Sequence, residues 1–223
     1  MSRQTIAEGM GTGLLLYVIV GSGIAAETLG GDRAVQLLAH ALVVGLGLAA
    51  LIALFQTTSG SHFNPSVTLA FWTTRQVGRR AAFGYFIAQV LGGIAGVVLA
   101  NFTFDLPMVA VSTTERDGIG LIGAEAVATF VLVLVILCLV RSGRDSAVPV
   151  AVGAWVAAIV FATSSTGFAN PAVTISRTLT DSYTGIAPTS VVGFLAAQLL
   201  AGLAAAFVAP HFDPENQPRT VRT

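Results

Sequence analysis

The chain has 223 residues, of which 54% are hydrophobic and 10% charged. A water-soluble domain carries charge on about a quarter of its residues, so a fully hydrated exterior is excluded and lipid is the expected surround. Net charge is zero and all 11 basic residues are arginine, which argues against a nucleic-acid partner, while the single Cys138 excludes an internal disulfide and a multi-cysteine metal site.

Six apolar runs approach or exceed the ~20 residues that cross a bilayer as helix: in chain order about 5–27, 34–56, 81–101, 121–141, 147–164 and 187–209. The opening stretch MSRQTIAEGMGTG has one arginine, then Glu8 inside the first run, and lacks the small-residue cleavage site of a secretory signal. The first span is therefore expected to stay. Between the second and third spans lies SHFNPSVTLAF (61–71), and between the fifth and sixth GFANPAVTISR (167–177). Both are apolar but only about ten residues long, too short to cross, and read as half-helices that enter the membrane and stop. Cys138, in VLVLVILCLV of the fourth run, reads as a small buried hydrophobe. Glycines recurring in the spans, Gly45 and Gly92 among them, read as contacts for close helix crossing. The final segment, 211–223, is polar and reads as a disordered cytoplasmic tail.

Arginine placement gives an orientation. Arg3, Arg75, Arg79, Arg80, Arg141, Arg144, Arg219 and Arg222 fall on one side of a six-span arrangement, 8 of the 11, against Arg33, Arg116 and Arg177 on the other. The positive-inside rule then puts both termini in the cytoplasm, with the loop at about 102–120 outside, where it is placed to cover the mouth. The chain also repeats itself. Ala7-Glu8 aligns with Ala124-Glu125, NPSVT at Asn64 with NPAVT at Asn170, and FIAQVLGG from Phe86 with LAAQLLAG from Leu195, at offsets of 117, 106 and 109. Each half (about 1–115 and 116–210 of a single 1–223 domain) holds three spans, so the second inserts upside down. Inverted repeats place a functional site at the midplane between broken helices.

Proline at the first helical position and asparagine before it are start signals. Asn64-Pro65-Ser66 and Asn170-Pro171-Ala172 therefore begin two helices that face each other near the bilayer centre. Each end contributes about half a positive elementary charge, which opposes a cation or a hopping proton. With its carbonyl held locally, each asparagine can turn N–H donors toward a passing neutral solute. A single Asn-Pro is commonly just a turn; two matched copies in apolar flanks favour the paired site.

On these motifs the chain resembles the aquaporin (major intrinsic protein) family over nearly its whole length, as an aquaglyceroporin-like bacterial member. The paired boxes, Gly60-Ser61-His62-Phe63 before the first, and a glutamate in the first and fourth spans carry the resemblance. It implies an all-α fold of six tilted helices plus two half-helices and a homotetramer with one pore per subunit; the two intramembrane glutamates and few histidines form no recognisable metal or nucleophile set, so no cofactor, metal or enzymatic activity is expected. It further implies that Asn64 and Asn170 donate to the permeant and that His62 lines the cytoplasmic half of the path. Loop carbonyls around Gly60–Phe63 and Thr166–Ala169, a stretch that includes Phe168, would form a ladder of acceptors. Glu8 and Glu125 would buttress the half-helix loops, with a proton relay as the other reading of intramembrane carboxylates.

The family narrows at a four-residue filter whose most telling member, directly after the second box, is usually arginine. Here that residue is Val173. Spacing to the boxes gives Val44, Val160 (with Ala158 as the other candidate) and Gly167 for the remaining three. A ring of Val, Val, Gly and Val offers neither bulk nor donors, and water crossing it forgoes hydrogen bonds at about 1–3 kcal/mol per unpaired group. The expected permeants are small uncharged solutes (glycerol, urea, neutral or methylated metalloids such as arsenous acid) with water second. Arg177, four residues beyond Val173, is placed in the outer vestibule, unless it is a simple surface arginine, pairs with Asp181, or reaches the constriction and restores a water-selective filter. A secondary transporter is the reading from another class, but no carboxylate stands at the boxes to bind a coupling ion. The expected location is the inner membrane of a bacterium.

Overall fold

Chain surrounded by lipid must satisfy its own backbone polar groups, and unbroken helix does this within one segment. In the computed structural model, which describes residues 2–212, the helices are α1 (Arg3–Leu29), α2 (Arg33–Ser59), α3 (Pro65–Thr73), α4 (Arg79–Thr103), α5 (Ile119–Arg141), α6 (Val148–Ala162), α7 (Pro171–Ser176) and α8 (Val191–Val208). Among the described residues six stretches are long and apolar enough to cross a membrane, α3 and α7 being the exceptions. Of the polar tail expected over 211–223, all but His211 and Phe212 lies outside the described residues.

Local sequence sets the helix ends. Asp32 caps α2 by accepting from the Ala34 amide at 2.7 Å, and Gly60 closes it in the left-handed region at φ 87°, which glycine reaches without steric cost. The expected span 187–209 begins later, at Val191, because Pro188 starts a separate tight turn over Pro188–Ser190. The expected 147–164 likewise contracts to α6 after a turn at Asp145–Ala147. The half-helices are unequal: nine residues in α3, but six in α7 before it tightens into a 3-10 turn, Arg177–Leu179.

Helices in lipid gain little from burying apolar faces against one another, so close backbone approach matters more. Where α1 crosses α4, a Cβ added at Gly92 would collide with the Gly9 carbonyl oxygen, and one at Gly96 with that of Gly13. Where α2 crosses α6, a Cβ at either Gly45 or Gly153 would meet the other's carbonyl oxygen at 2.5 Å. Around these crossings α5 packs on α8 and α6, while α3 wedges against α4 and α8, and α7 against the same two. The half-helices thus sit inside the ring of six, with their N-termini directed at each other. Below, the end of the bundle carrying Arg3, Arg79 and Arg141 is called the termini side.

Candidate functional site

The facing ends are built by asparagine. Asn64 Oδ1 accepts from the Ser66 amide at 2.9 Å, and Asn170 Oδ1 from the amides of Ala172 at 2.9 Å and Val173 at 3.3 Å. With the oxygen fixed, each NH2 group points away from its own helix. One hydrogen of each is committed across the midplane: Asn64 Nδ2 donates to the Ala169 carbonyl at 2.7 Å, and Asn170 Nδ2 to the Phe63 carbonyl at 2.8 Å. An amide nitrogen has two hydrogens, so one per asparagine remains for the cavity. These crossed bonds occupy one of the two lone pairs on each of the Phe63 and Ala169 carbonyls.

The loops feeding the half-helices hold strained backbone. Gly60, Ser61 and Phe63 in one, and Thr166, Gly167 and Ala169 in the other, all have φ between 47° and 87°, a region in which L-residues other than glycine cost of order 1–2 kcal/mol each. Two buried carboxylates hold them there. Glu8 accepts from Ser59 Oγ (2.6 Å), the His62 amide (2.9 Å), the Phe63 amide (2.7 Å) and Gln89 Nε2 (2.8 Å). Glu125 accepts from the amides of Phe168 (2.9 Å) and Ala169 (2.8 Å) and from Gln198 Nε2 (2.6 Å). The two glutamines then bond Thr68 and Thr174 on the half-helices. The loop amides at His62, Phe63, Phe168 and Ala169 thereby face the carboxylates.

The two loops border a cavity of about 60 Å³ lined by residues from His62 past both asparagines to Arg177, room for roughly five waters. Its walls are mostly hydrocarbon: Leu15, Ile19, Val44, Leu48, Ile52, Leu132, Val152, Val156 and Val160 from the spans, with Val67 and Val173 from the half-helices. Val44, Val160, Gly167 and Val173 all line it, whereas Ala158 is exposed on the outside of α6. Gly167 contributes backbone only, because a Cβ there would lie 2.7 Å from Ile159 Cγ1 in the packed wall. The His62 ring nitrogen Nδ1 lies 3.0 Å from Thr68 Oγ1.

The chain matches the family model described as Major intrinsic protein over residues 1–169. It is 42% identical over 205 residues to aquaglyceroporin AqpS of Rhizobium meliloti (strain 1021), covering 92% of this chain and 88% of that one. This chain belongs to the major intrinsic protein family. It is also 36% identical to aquaporin PIP2-7 of Arabidopsis thaliana across 66% of its own length, and there spans 56% of the relative. In fold it is similar to the X-ray structure of the aquaglyceroporin from Plasmodium falciparum, with a TM-score of 0.79 and 22% identity over 95% of this chain and 98% of that one.

Within this family member the side opposite the termini departs from a purely apolar ring. Arg177 is only 4% exposed and lines the same cavity. Its Nε donates to the Thr184 carbonyl and its guanidinium carbon lies 3.5 Å from the Phe168 ring centroid. Asp181, the partner considered from spacing, instead accepts from the Thr113 amide and hydroxyl at 2.8 and 3.1 Å. Sequence reasoning passed over two further residues. His40, one turn before Val44, lines the cavity with Nδ1 2.8 Å from Ser22 Oγ; its four-residue spacing from Val44 was the available signal. Arg116, in the long loop, donates from Nε to the Gly185 carbonyl at 2.8 Å and lies 5.1 Å from the Phe168 centroid. Burial holds its guanidinium below the ordinary pKa, with Tyr183 and Glu125 acting the other way. No local pattern marks Arg116. The loop is laced to the segment after α7 by the Ala110 and Ser112 amides, on the carbonyls of Leu179 and Thr178.

Proposed function

We propose that the chain is a passive channel for small uncharged solutes of the glycerol and urea kind, including neutral or methylated metalloids such as arsenous acid, with water also passing. The observation that carries this reading is the cavity wall. Hydrocarbon side chains make up most of the wall beside the backbone of the two loops and two asparagine donors, and the residue after the second box is Val173. A solute with apolar surface and a few hydroxyls loses less on such a wall than water does. The two intramembrane carboxylates are engaged by three or four donors each. That supports a structural role for them and leaves a coupling-ion site, as a secondary transporter requires, without ligands at the boxes. The aquaglyceroporin named among the relatives points the same way. On the arginine asymmetry we place both termini in the cytoplasm of a bacterium, with the channel in its inner membrane; a homotetramer is carried over from the family.

One observation favours the second reading, a water-selective pore: Arg177 reaches the cavity, whose volume is small. Stopped-flow swelling of proteoliposomes with water, glycerol, urea and arsenous acid separates the two. The expected result is protein-mediated flux of all four, with solute flux reduced in Val173→Arg. Water flux alone in the wild type would establish the second reading. Saturable uptake driven against a gradient would replace both with a transporter.

A further inference from the structure

Val44, Val160, Gly167 and Val173 give the wall no side-chain donor and no charge. Arg177 brings both, four residues beyond Val173, which along a helix is about 6 Å. It is not placed as a surface arginine. It is buried, its Nε is engaged by the Thr184 carbonyl, and its planar face lies on Phe168. Among the described residues its terminal Nη groups donate to no protein atom, and the nearby Asp181 carboxylate is taken up by Thr113. A guanidinium in apolar surroundings with free donors demands an acceptor, and the cavity it lines is where one can enter. Arg116 shares the Phe168 ring and holds the Gly185 and Tyr183 carbonyls of the segment that also supplies Thr184. We infer that Arg116 acts on the pore only by holding this segment, as a positioning residue.

We propose that Arg177 is the specificity-determining cation of this channel, and that its displacement one turn outward from Val173 makes a two-stage filter. The outer stage is a guanidinium donor on an aromatic shelf; the inner stage is a hydrocarbon ring. A molecule satisfies both at once when it has an oxygen acceptor at one end and a methyl or methylene group at the other. The favoured substrates are therefore small neutral amphiphiles rather than polyols hydroxylated along their whole length. The inference rests on the channel reading above and refines its solute class.

The test uses full-length protein in liposomes and matched probe pairs, urea with methylurea and glycerol with 1,2-propanediol, after subtraction of bare-lipid flux. The wild type is expected to favour the methyl-bearing member of each pair by about threefold or more, and Arg177→Met to abolish that preference and lower flux of both members by about tenfold. Arg177→Lys keeps the charge without the flat stacked fork; it is expected to retain exclusion of protons, read with a pH-sensitive dye, while losing the preference. Arg116→Met should weaken the preference within each pair a few-fold while flux of both members persists, and Arg116→Lys should restore the preference. Equal or reversed ranking within the pairs in the wild type overturns the inference without any variant needing to fold. So does an unchanged preference in Arg177→Met. Failure of the channel reading is a different result: no protein-mediated flux of any probe.

Discussion

The two mouths of the pore use one geometry for two chemistries. The box offset of 106 carries His62 onto Phe168 and Phe71 onto Arg177, and the offset of 109 carries Tyr85 onto Phe194. On the termini side the His62 ring lies 4.6 Å from Phe71, with Tyr85 edge-on at 5.4 Å and 80°. On the other side Phe168 lies under Arg177 at 3.5 Å, with Phe194 edge-on at 5.3 Å and 81°. The corresponding slots are filled, but a ring faces an imidazole in one half and a guanidinium faces a phenyl in the other. The framework beneath is held nearly fixed. Glu8 and Glu125, Gln89 and Gln198, and the left-handed residues 60, 61 and 63 against 166, 167 and 169 repeat with little change. Backbone hydrogen bonding in lipid leaves that layer no freedom, whereas a side chain facing the bore is constrained only by what must pass.

If the framework halves are equivalent, removing either carboxylate should be the most damaging change available. Glu8→Ala strands four donors and Glu125→Ala three, and buried unpaired donors cost about 1–3 kcal/mol each. Both variants are expected to lose most folded protein in detergent, Glu8→Ala more completely. A wild-type thermal midpoint for either would break the equivalence. A smaller effect separates strain from crowding. Gly167 and Gly143 both have positive φ, 53° and 68°, but only Gly167 has a neighbour where Cβ would go. Gly143→Ala is expected to cost about 1 kcal/mol, and Gly167→Ala about 1–3 kcal/mol more from overpacking against Ile159, measured by thermal unfolding in micelles. Equal costs would mean that Ile159 yields. The least perturbing pair tests which face of α6 lines the bore. Val160→Ala should raise glycerol flux roughly twofold by widening the ring, while Ala158→Val, on the exposed face, should leave it unchanged. The reverse outcome would rotate α6 and reassign the ring.

Much of this was legible from one sequence because lipid allows few solutions. Six spans, two half-helices starting at Asn64-Pro65 and Asn170-Pro171, and the inverted repeat follow from run length, capping residues and self-similarity. What escaped is the part set by tertiary contact. Spacing alone put Arg177 on the same face as Val173 but could not say that α7 ends after six residues, or that Phe168 lies beneath the guanidinium. The crossed bonds from each asparagine to the opposite loop join residues 105 and 107 positions apart, and no local pattern encodes them. Arg116 is more distant still from any motif, because the long loop reaches the mouth through backbone bonds that any residue type could make.

The separation between guanidinium and hydrocarbon ring is tested most directly by moving the charge inward one turn, in Val173→Arg/Arg177→Val, and measuring the ratio of glycerol to water permeability by stopped flow. With donor and ring collapsed onto one level, the expected result is a ratio about tenfold lower than wild type, with water flux kept. A ratio that stays at the wild-type value in folded protein would contradict the two-level arrangement.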